Sequence, residues 1–161
     1  TPNMDLPLRE DTEINLRLPA LIPEKYLPDV HSRLVLYKRI SNAENSNQLR
    51  ELQVEMIDRF GLLPEQTKTL FRVTALKLRA EKLGIKKLDA GPEGGKIEFA
   101  QSTPVDPFTI VQLIQTEPHR YRLPTANQLS FDEQMEASET RFQKVEQLFE
   151  RLEQKIHGNA P

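Results

Sequence analysis

The chain has 161 residues, of which 37% are hydrophobic and 29% are charged, and its formal net charge is -2. A chain of this size and composition is typical of a globular domain with its own hydrophobic core. Domains that grip the phosphates of nucleic acids usually carry a clear excess of basic residues, so the charge argues against that class. The absence of cysteine excludes disulfides, thiolate metal sites and a cysteine nucleophile, and no stretch approaches the roughly 18 apolar residues of a membrane span.

The first part of the chain is predicted to contain an arm, a strand and a helix. Residues 1–12 combine prolines with polar residues and are interpreted as a linker or terminal arm. Alternating polar and apolar residues predict a strand over 13–18. A helix is predicted over 28–40, because Pro28 and Asp29 suit its start. Its apolar face is predicted to comprise Val30, Leu34 and Tyr37.

Two helical patterns then meet at a Gly-Leu-Leu-Pro corner. The first helix is predicted to start between residues 42 and 47, although Ser41 and Glu44 also have the spacing of a capping box. Gly61 suits the end of that helix, and Pro64 suits the first turn of a second helix over 64–83. The first helix has one apolar stripe, formed by Leu49, Leu52, Met56 and Phe60.

The second half of the chain is predicted to hold two β-hairpins, a short helix and a long C-terminal helix. The hairpins pair 85–90 with 96–100 and 121–123 with 128–131, the short helix starts at Asp106, and the long helix covers 133–157. Helices around a small mixed or antiparallel sheet define an α+β fold. We expect a single domain over 13–157, a disordered tail over 158–161, and a monomer whose last helix docks on its own domain.

The sequence offers little catalytic chemistry. The GPEGGK run at 91–96 resembles a phosphate-binding loop, but it lacks the first glycine and the Ser or Thr of that motif, so a hairpin turn is the better interpretation. His31, His119 and His157 are scattered and show no metal-binding spacing. We therefore expect no catalytic residue, no metal site and no cofactor site in this chain.

Charge placement is more informative. Glu51, Glu55 and Asp58 lie on one face of the first central helix, with Val54 beside them. A solvated helix face is the simpler interpretation, and a contact with a basic partner is the sharper one. On the second helix the face formed by Lys68, Arg72 and Arg79 leaves open an alternative, a nucleic-acid-binding module to which Lys86 and Lys87 would also contribute.

Three runs carry a resemblance to a known family. Residues 36–40 (LYKRI), 51–64 (ELQVEMIDRFGLLP) and 80–85 (AEKLGI) resemble the C-terminal domain of the bacterial transcription-repair coupling factor. The resemblance implies a cytoplasmic, multidomain protein whose RecG-like motor uses ATP and Mg²⁺ to translocate on DNA, displaces stalled RNA polymerase and recruits the repair protein UvrA. The helicase motifs are absent from this chain, so the resemblance implies a non-catalytic domain.

The resemblance also implies a regulatory role. In that family the terminal domain packs against an N-terminal UvrB-like module and masks its UvrA-binding surface until polymerase is engaged. We therefore expect Glu55 and Asp58, with Glu51 and Val54 nearby, to contact that module. UvrA and RNA polymerase would be indirect partners, and no direct contact with DNA or a membrane is expected.

Overall fold

The computed structural model describes residues 12–154, which form two compact units. The strands are β1 (Glu13–Asn15), β2 (Ile85–Gly91), β3 (Gly94–Phe99), β4 (Tyr121–Thr125) and β5 (Gln128–Asp132). The helices are α1 (Val30–Ser41), α2 (Ser46–Phe60), α3 (Glu65–Lys82), α4 (Pro107–Thr116) and α5 (Ser138–Glu153). The predicted α+β class is confirmed. The helical unit contains Leu18–Leu78, the sheet unit contains the described residues before and after it, and α3 supplies residues to both.

The sheet unit is built on a mixed five-stranded sheet of order β1-β2-β3-β5-β4. β1 pairs in parallel with β2, and every other pairing is antiparallel. The two predicted hairpins are the β2–β3 and β4–β5 pairs. β1 is shorter than the predicted 13–18, because the Asn15 side chain accepts a hydrogen bond from the backbone N–H of Arg17, 2.9 Å away, and Arg17 turns the chain with a φ of 57°.

The long C-terminal helix starts later than predicted. Residues 133–137 are not helical: the Glu133 N–H donates to the Glu93 carbonyl (3.0 Å) and the Met135 N–H to the Pro92 carbonyl (2.7 Å), which ties this segment to the β2–β3 turn. These bonds hold the segment beside the turn in a non-helical path, and α5 begins at Ser138. α5 buries one apolar stripe, formed by Phe142, Val145, Phe149 and Leu152.

Arg141 is a buried cation at the start of α5. It is 3% exposed, and its guanidinium donates to three backbone carbonyls, those of Met135 (3.0 Å), Leu16 (2.7 Å) and Glu136 (3.1 Å). A buried charge is tolerated only when its donors are satisfied. Arg141 therefore joins the end of β1 to the segment that leads into α5.

The helical unit has a core built around α1, α2 and the first part of α3. The buried residues of α1 are Leu36 and Ile40, whereas Val30 and Leu34, predicted to face the core, are 58% and 61% exposed. The prediction is wrong for Val30 and Leu34, because the buried face of α1 is centred on Leu36 and Ile40, about a third of a turn away. Tyr37, the third predicted residue, is partly buried and packs against the core. The remaining buried core residues of α2 and its surroundings include Leu49, Leu52, Met56, Leu63 and Phe71.

The starts of α2 and α4 are each fixed by a capping side chain. α2 begins within the predicted window, but its cap is Asn45, whose side chain accepts from the Gln48 N–H at 2.8 Å, and not the Ser41–Glu44 box. Ser41 instead ends α1. The predicted start of the short helix is confirmed, since Asp106 caps α4 by accepting from the Phe108 N–H at 3.0 Å.

The ends of the chain lie largely outside the described residues. This applies to the predicted arm up to residue 11, to the last three residues of the predicted C-terminal helix and to the predicted tail over 158–161. Thr12, the last residue of the predicted arm, is buried, and its hydroxyl donates to the Ile85 carbonyl at 2.8 Å.

Candidate functional site

The candidate site is the outer face of α2, defined by Glu51, Val54, Glu55 and Asp58. The opposite side of α2 is buried in the helical unit, which fixes the orientation of the helix. Glu51 and Asp58 are exposed, and Val54 is 55% exposed. All four predicted residues therefore lie on the surface of one helix.

Glu55 differs from the other acidic residues of this face. Its two carboxylate oxygens each accept a hydrogen bond of 2.8 Å from Arg39 of α1, and Oε2 also accepts from Arg59 at 3.2 Å. The hydrogen bonds from Arg39 are the largest cause that lowers the pKa of Glu55 from its ordinary 4.5 to about 2. The same pairing raises the pKa of Arg39. We call Glu55, Arg39 and Arg59 the α1–α2 brace.

The brace changes which residues carry the charge of the outer face. The charge of Glu55 is balanced within the domain by two arginines. Glu51 and Asp58, in contrast, form no ion pair with any other residue between 12 and 154. The negative charge that this face offers to a partner therefore rests on Glu51 and Asp58, seven residues apart and so about 10 Å along the helix.

The corner after α2 holds the end of this face in place. The Gly61 N–H donates to the Ile57 carbonyl at 2.9 Å, and Gly61 has a φ of 99°, which suits glycine. The Tyr26 hydroxyl donates to the carbonyls of Gly61 (2.8 Å) and Met56 (3.3 Å). Leu62 follows with 85% of its surface exposed.

The alternative basic face is largely neutralised by acidic neighbours. Lys68 pairs with Glu65 at 3.2 Å, and Arg79 makes two hydrogen bonds to Glu153, at 3.0 and 2.9 Å. Lys86 lies 3.7 Å from Glu98, and Arg72 also has an interaction partner. Lys87 is exposed and stands opposite Glu98 in the sheet register. Paired cations are less available to phosphates, so these residues give little support to a nucleic-acid interface.

The GPEGGK run forms the β2–β3 turn, as predicted. It borders a concavity of about 690 Å³ on the outer face of the sheet. The charged residues of this concavity alternate in sign across the strands, with Asp89 opposite Lys96 and Lys87 opposite Glu98. This arrangement is typical of a solvated sheet face stabilised by cross-strand pairs.

Within residues 12–154 the chain has neither a cluster of metal-binding side chains nor a helix that could cross a membrane. No group of three or more His, Cys, Asp or Glu residues within 12–154 could hold a metal ion. His31 and His119 are both exposed, and His157 lies outside this range. No helix between these limits is long and apolar enough to cross a membrane.

Sequence reasoning missed the brace. The spacing of Glu55 and Arg59, i and i+4 on one helix, is a recognisable ion-pair signal. The stronger partner, Arg39, comes from α1, and only the packing of α1 against α2 brings it to Glu55. Arg39 belongs to the LYKRI run, but nothing in that run indicates a partner 16 residues away.

Most of this chain is similar to known proteins. The family model described as TRCF domain matches residues 16–110. A transcription-repair-coupling factor of Escherichia coli is 41% identical over 153 residues, 95% of this chain, and that of Haemophilus influenzae is 43% identical over 144 residues, 89% of this chain. The chain spans about 13% of the length of each of these relatives.

The fold also matches a solved structure. A crystal structure of the C-terminal domain of transcription-repair coupling factor superposes with a TM-score of 0.74 and 23% sequence identity, covering 93% of this chain and 99% of the other. At that identity the match concerns the fold alone.

Proposed function

The chain belongs to the TRCF domain family, and from this premise we propose that it is a regulatory protein-interaction domain of a transcription-repair coupling factor. In this proposal it docks through the α2 outer face onto the UvrB-like N-terminal module of the longer protein and masks the surface that binds UvrA. The observation that carries the proposal is the pair of carboxylates, Glu51 and Asp58, that have no ion-pair partner within residues 12–154 and lie on either side of the exposed Val54.

The chemistry of the face suits a basic partner. Two carboxylates about two helical turns apart attract cations, and the apolar side chain between them supplies contact area that excludes water. Charge complementarity gives such a contact its specificity and its on-rate more than a high affinity. A mask that must open when polymerase is engaged needs an interface of this modest, polar kind.

The remaining functional expectations belong to the same proposal. This chain contributes no catalytic group, and ATP with Mg²⁺ serves the motor of the longer, cytoplasmic protein. The chain acts as a monomer with the UvrB-like module as its direct partner, whereas UvrA and RNA polymerase are affected indirectly. The paired state of Lys68 and Arg79 supports this proposal over the nucleic-acid alternative.

The proposal is tested by titrating the fluorescently labelled chain with the separately purified N-terminal module and following anisotropy. The double variant Glu51→Lys with Asp58→Lys should bind at least about tenfold more weakly, ~1.4 kcal/mol, because both attractive charges become repulsive. Melting should be unchanged, because neither carboxylate has a partner within the described residues.

A matched control reverses two exposed acids that do not belong to α2, Glu24→Lys with Glu150→Lys, and should bind as the unaltered chain does. Equal weakening in both double variants would show a general charge effect and contradict the proposal. So would undiminished binding of the α2 variant. Because the two pieces are joined in the longer protein, the affinity of the separate pieces is expected to be low, and high protein concentrations are needed.

A further inference from the structure

The hydrogen bonds of Glu55 are unequal. Arg39 approaches both oxygens at 2.8 Å in the two-pronged geometry that is the strongest pairing of these groups. Arg59 makes one longer contact of 3.2 Å to Oε2, an oxygen that Arg39 already uses, and its side chain is 55% exposed. Arg59 is therefore the partner of Glu55 that a competitor can displace.

Arg59 also has a second interaction partner. Its guanidinium carbon lies 4.8 Å from the centre of the Phe60 ring, within the range of a cation–π contact. This contact does not involve Glu55. Loss of the Glu55 hydrogen bond would therefore leave Arg59 with an existing favourable interaction, which lowers the cost of displacement.

Glu55 stands next to the charges that recognise the partner. On a helix, residues three and four apart are neighbours, so Glu55 adjoins Asp58 on one side and Glu51 on the other. A cation that reaches Asp58 from outside therefore also comes close to the Glu55 carboxylate. Arg59, four residues after Glu55, occupies that oxygen in the free domain.

We propose that Arg59 is a specificity-determining residue of the α2 outer face. It acts as an internal competitor at Glu55. An arginine of the basic partner replaces Arg59 there and also contacts Asp58. The proposal rests on the proposed function, since it concerns the same face and partner. It assigns different roles to the acidic residues: Glu51 and Asp58 attract the partner, and Glu55 is shared between the domain and the partner.

The geometry favours arginine over lysine in the partner. A guanidinium is planar and presents several donors, so it can contact two neighbouring carboxylates at once, whereas an ammonium is a single point charge. Arg39 keeps its two-pronged hold on Glu55 throughout. The partner arginine donates to the Glu55 oxygen that Arg59 gives up.

The proposal predicts that removal of the competitor tightens docking. Arg59→Gln, measured in the same anisotropy titration with the N-terminal module, should bind about two- to fivefold more tightly than the unaltered chain, the scale set by one exposed ion pair. Arg59→Lys keeps the charge and should bind about as the unaltered chain does.

The matched control is Arg50→Gln, which removes the same charge from the same helix. Arg50 donates to Asn47 and makes no contact with Glu55. Its affinity should rise less than that of Arg59→Gln. Equal tightening by both variants, or no tightening by Arg59→Gln, would overturn the role of Arg59.

Different results would overturn the docking of the α2 outer face and the role of Arg59. If the unaltered chain binds and the Glu51/Asp58 double reversal weakens it, but Arg59→Gln does not tighten it, only the role of Arg59 is overturned. If the double reversal has no effect, the docking face itself is wrong, and the role of Arg59 falls with it.

Discussion

At the scale of single residues, Glu55 links stability to pH. Its pKa is held at about 2 in the folded chain, below its ordinary 4.5. A carboxyl whose pKa is lowered by folding stabilises the fold above its unfolded pKa, and this contribution is lost as the pH falls through the folded pKa. The stabilisation from Glu55 should therefore be complete near pH 7 and disappear between about pH 4.5 and 2.

The variant Glu55→Gln tests this linkage. It should unfold at lower urea concentration than the unaltered chain at pH 7, and the difference should shrink as the pH is lowered through that window. Glu51→Gln, on the same helix but without an ion pair in the described structure, should unfold at the same urea concentration as the unaltered chain at pH 7. A Glu55 carboxyl that titrates near 4.5 in a carbon NMR experiment would contradict the brace.

Prediction from sequence was effective for residues whose role depends on local spacing. Glu51, Val54 and Asp58 were placed on one exposed helix face by periodicity alone, and they are exposed. The pairing of Glu55 with Arg39 depends on the packing of two helices, which periodicity does not describe. The same limit applies to Arg141, whose burial follows from the position of Leu16, 125 residues away in the chain.

At the scale of elements, the β2–β3 hairpin depends on glycine at its turn. Gly94 has a φ of 142°, and a Cβ there would lie 2.2 Å from the Phe131 carbonyl oxygen on β5. Gly61, at the end of α2, has a φ of 99° but no atom within 4 Å of an added Cβ. Alanine at position 61 would therefore introduce backbone strain alone, whereas alanine at position 94 would introduce both backbone strain and a steric clash.

We predict unequal costs for alanine at these two glycines. Gly61→Ala should lower the free energy of unfolding by about 1–3 kcal/mol, because a φ of 99° with a ψ of -176° is a conformation essentially restricted to glycine. Gly94→Ala should cost more than Gly61→Ala, because β5 must also move. Urea unfolding of each variant checks this, and a smaller cost at Gly94 than at Gly61 would contradict the assignment of the clash.

Element ends followed local chemistry where a cap or proline was present. The end of α2 and the start of α4 agree with the sequence because Gly61, Asp106 and Pro107 act within a few residues of themselves. The start of α5 did not, because long-range hydrogen bonds to the β2–β3 turn hold the preceding residues in a non-helical path. The phase of α1 was also misjudged, since Val30 and Leu34 continue an apolar pattern that the core does not use.

At the scale of the whole molecule, the fold class was predictable but the strand order was not. Helical and strand periodicities are local, and together they indicate an α+β fold. The parallel pairing of β1 with β2 joins segments about 70 residues apart, and turn chemistry specifies only the two hairpins. The family was recognisable because its runs at 36–40 and 51–64 combine helix faces with the corner that ends α2.

The docking face is one small surface on a chain that spans about 13% of its coupling-factor relatives. Its proposed effect is therefore exerted on the rest of a longer protein. Only open molecules can bind at a masked site, so the apparent affinity of that site is its intrinsic affinity multiplied by the fraction of molecules that are open. The proposed masking role is thus measurable as a change in how much UvrA the longer protein binds.

The most direct test is the binding of UvrA to the intact coupling factor that carries this domain. With Glu51→Lys and Asp58→Lys, UvrA binding should rise to the level of a protein from which the domain has been removed. The unaltered protein and the Glu24→Lys/Glu150→Lys control should remain at the low, masked level. UvrA binding that is equally low in the α2 variant and in the unaltered protein would contradict the account.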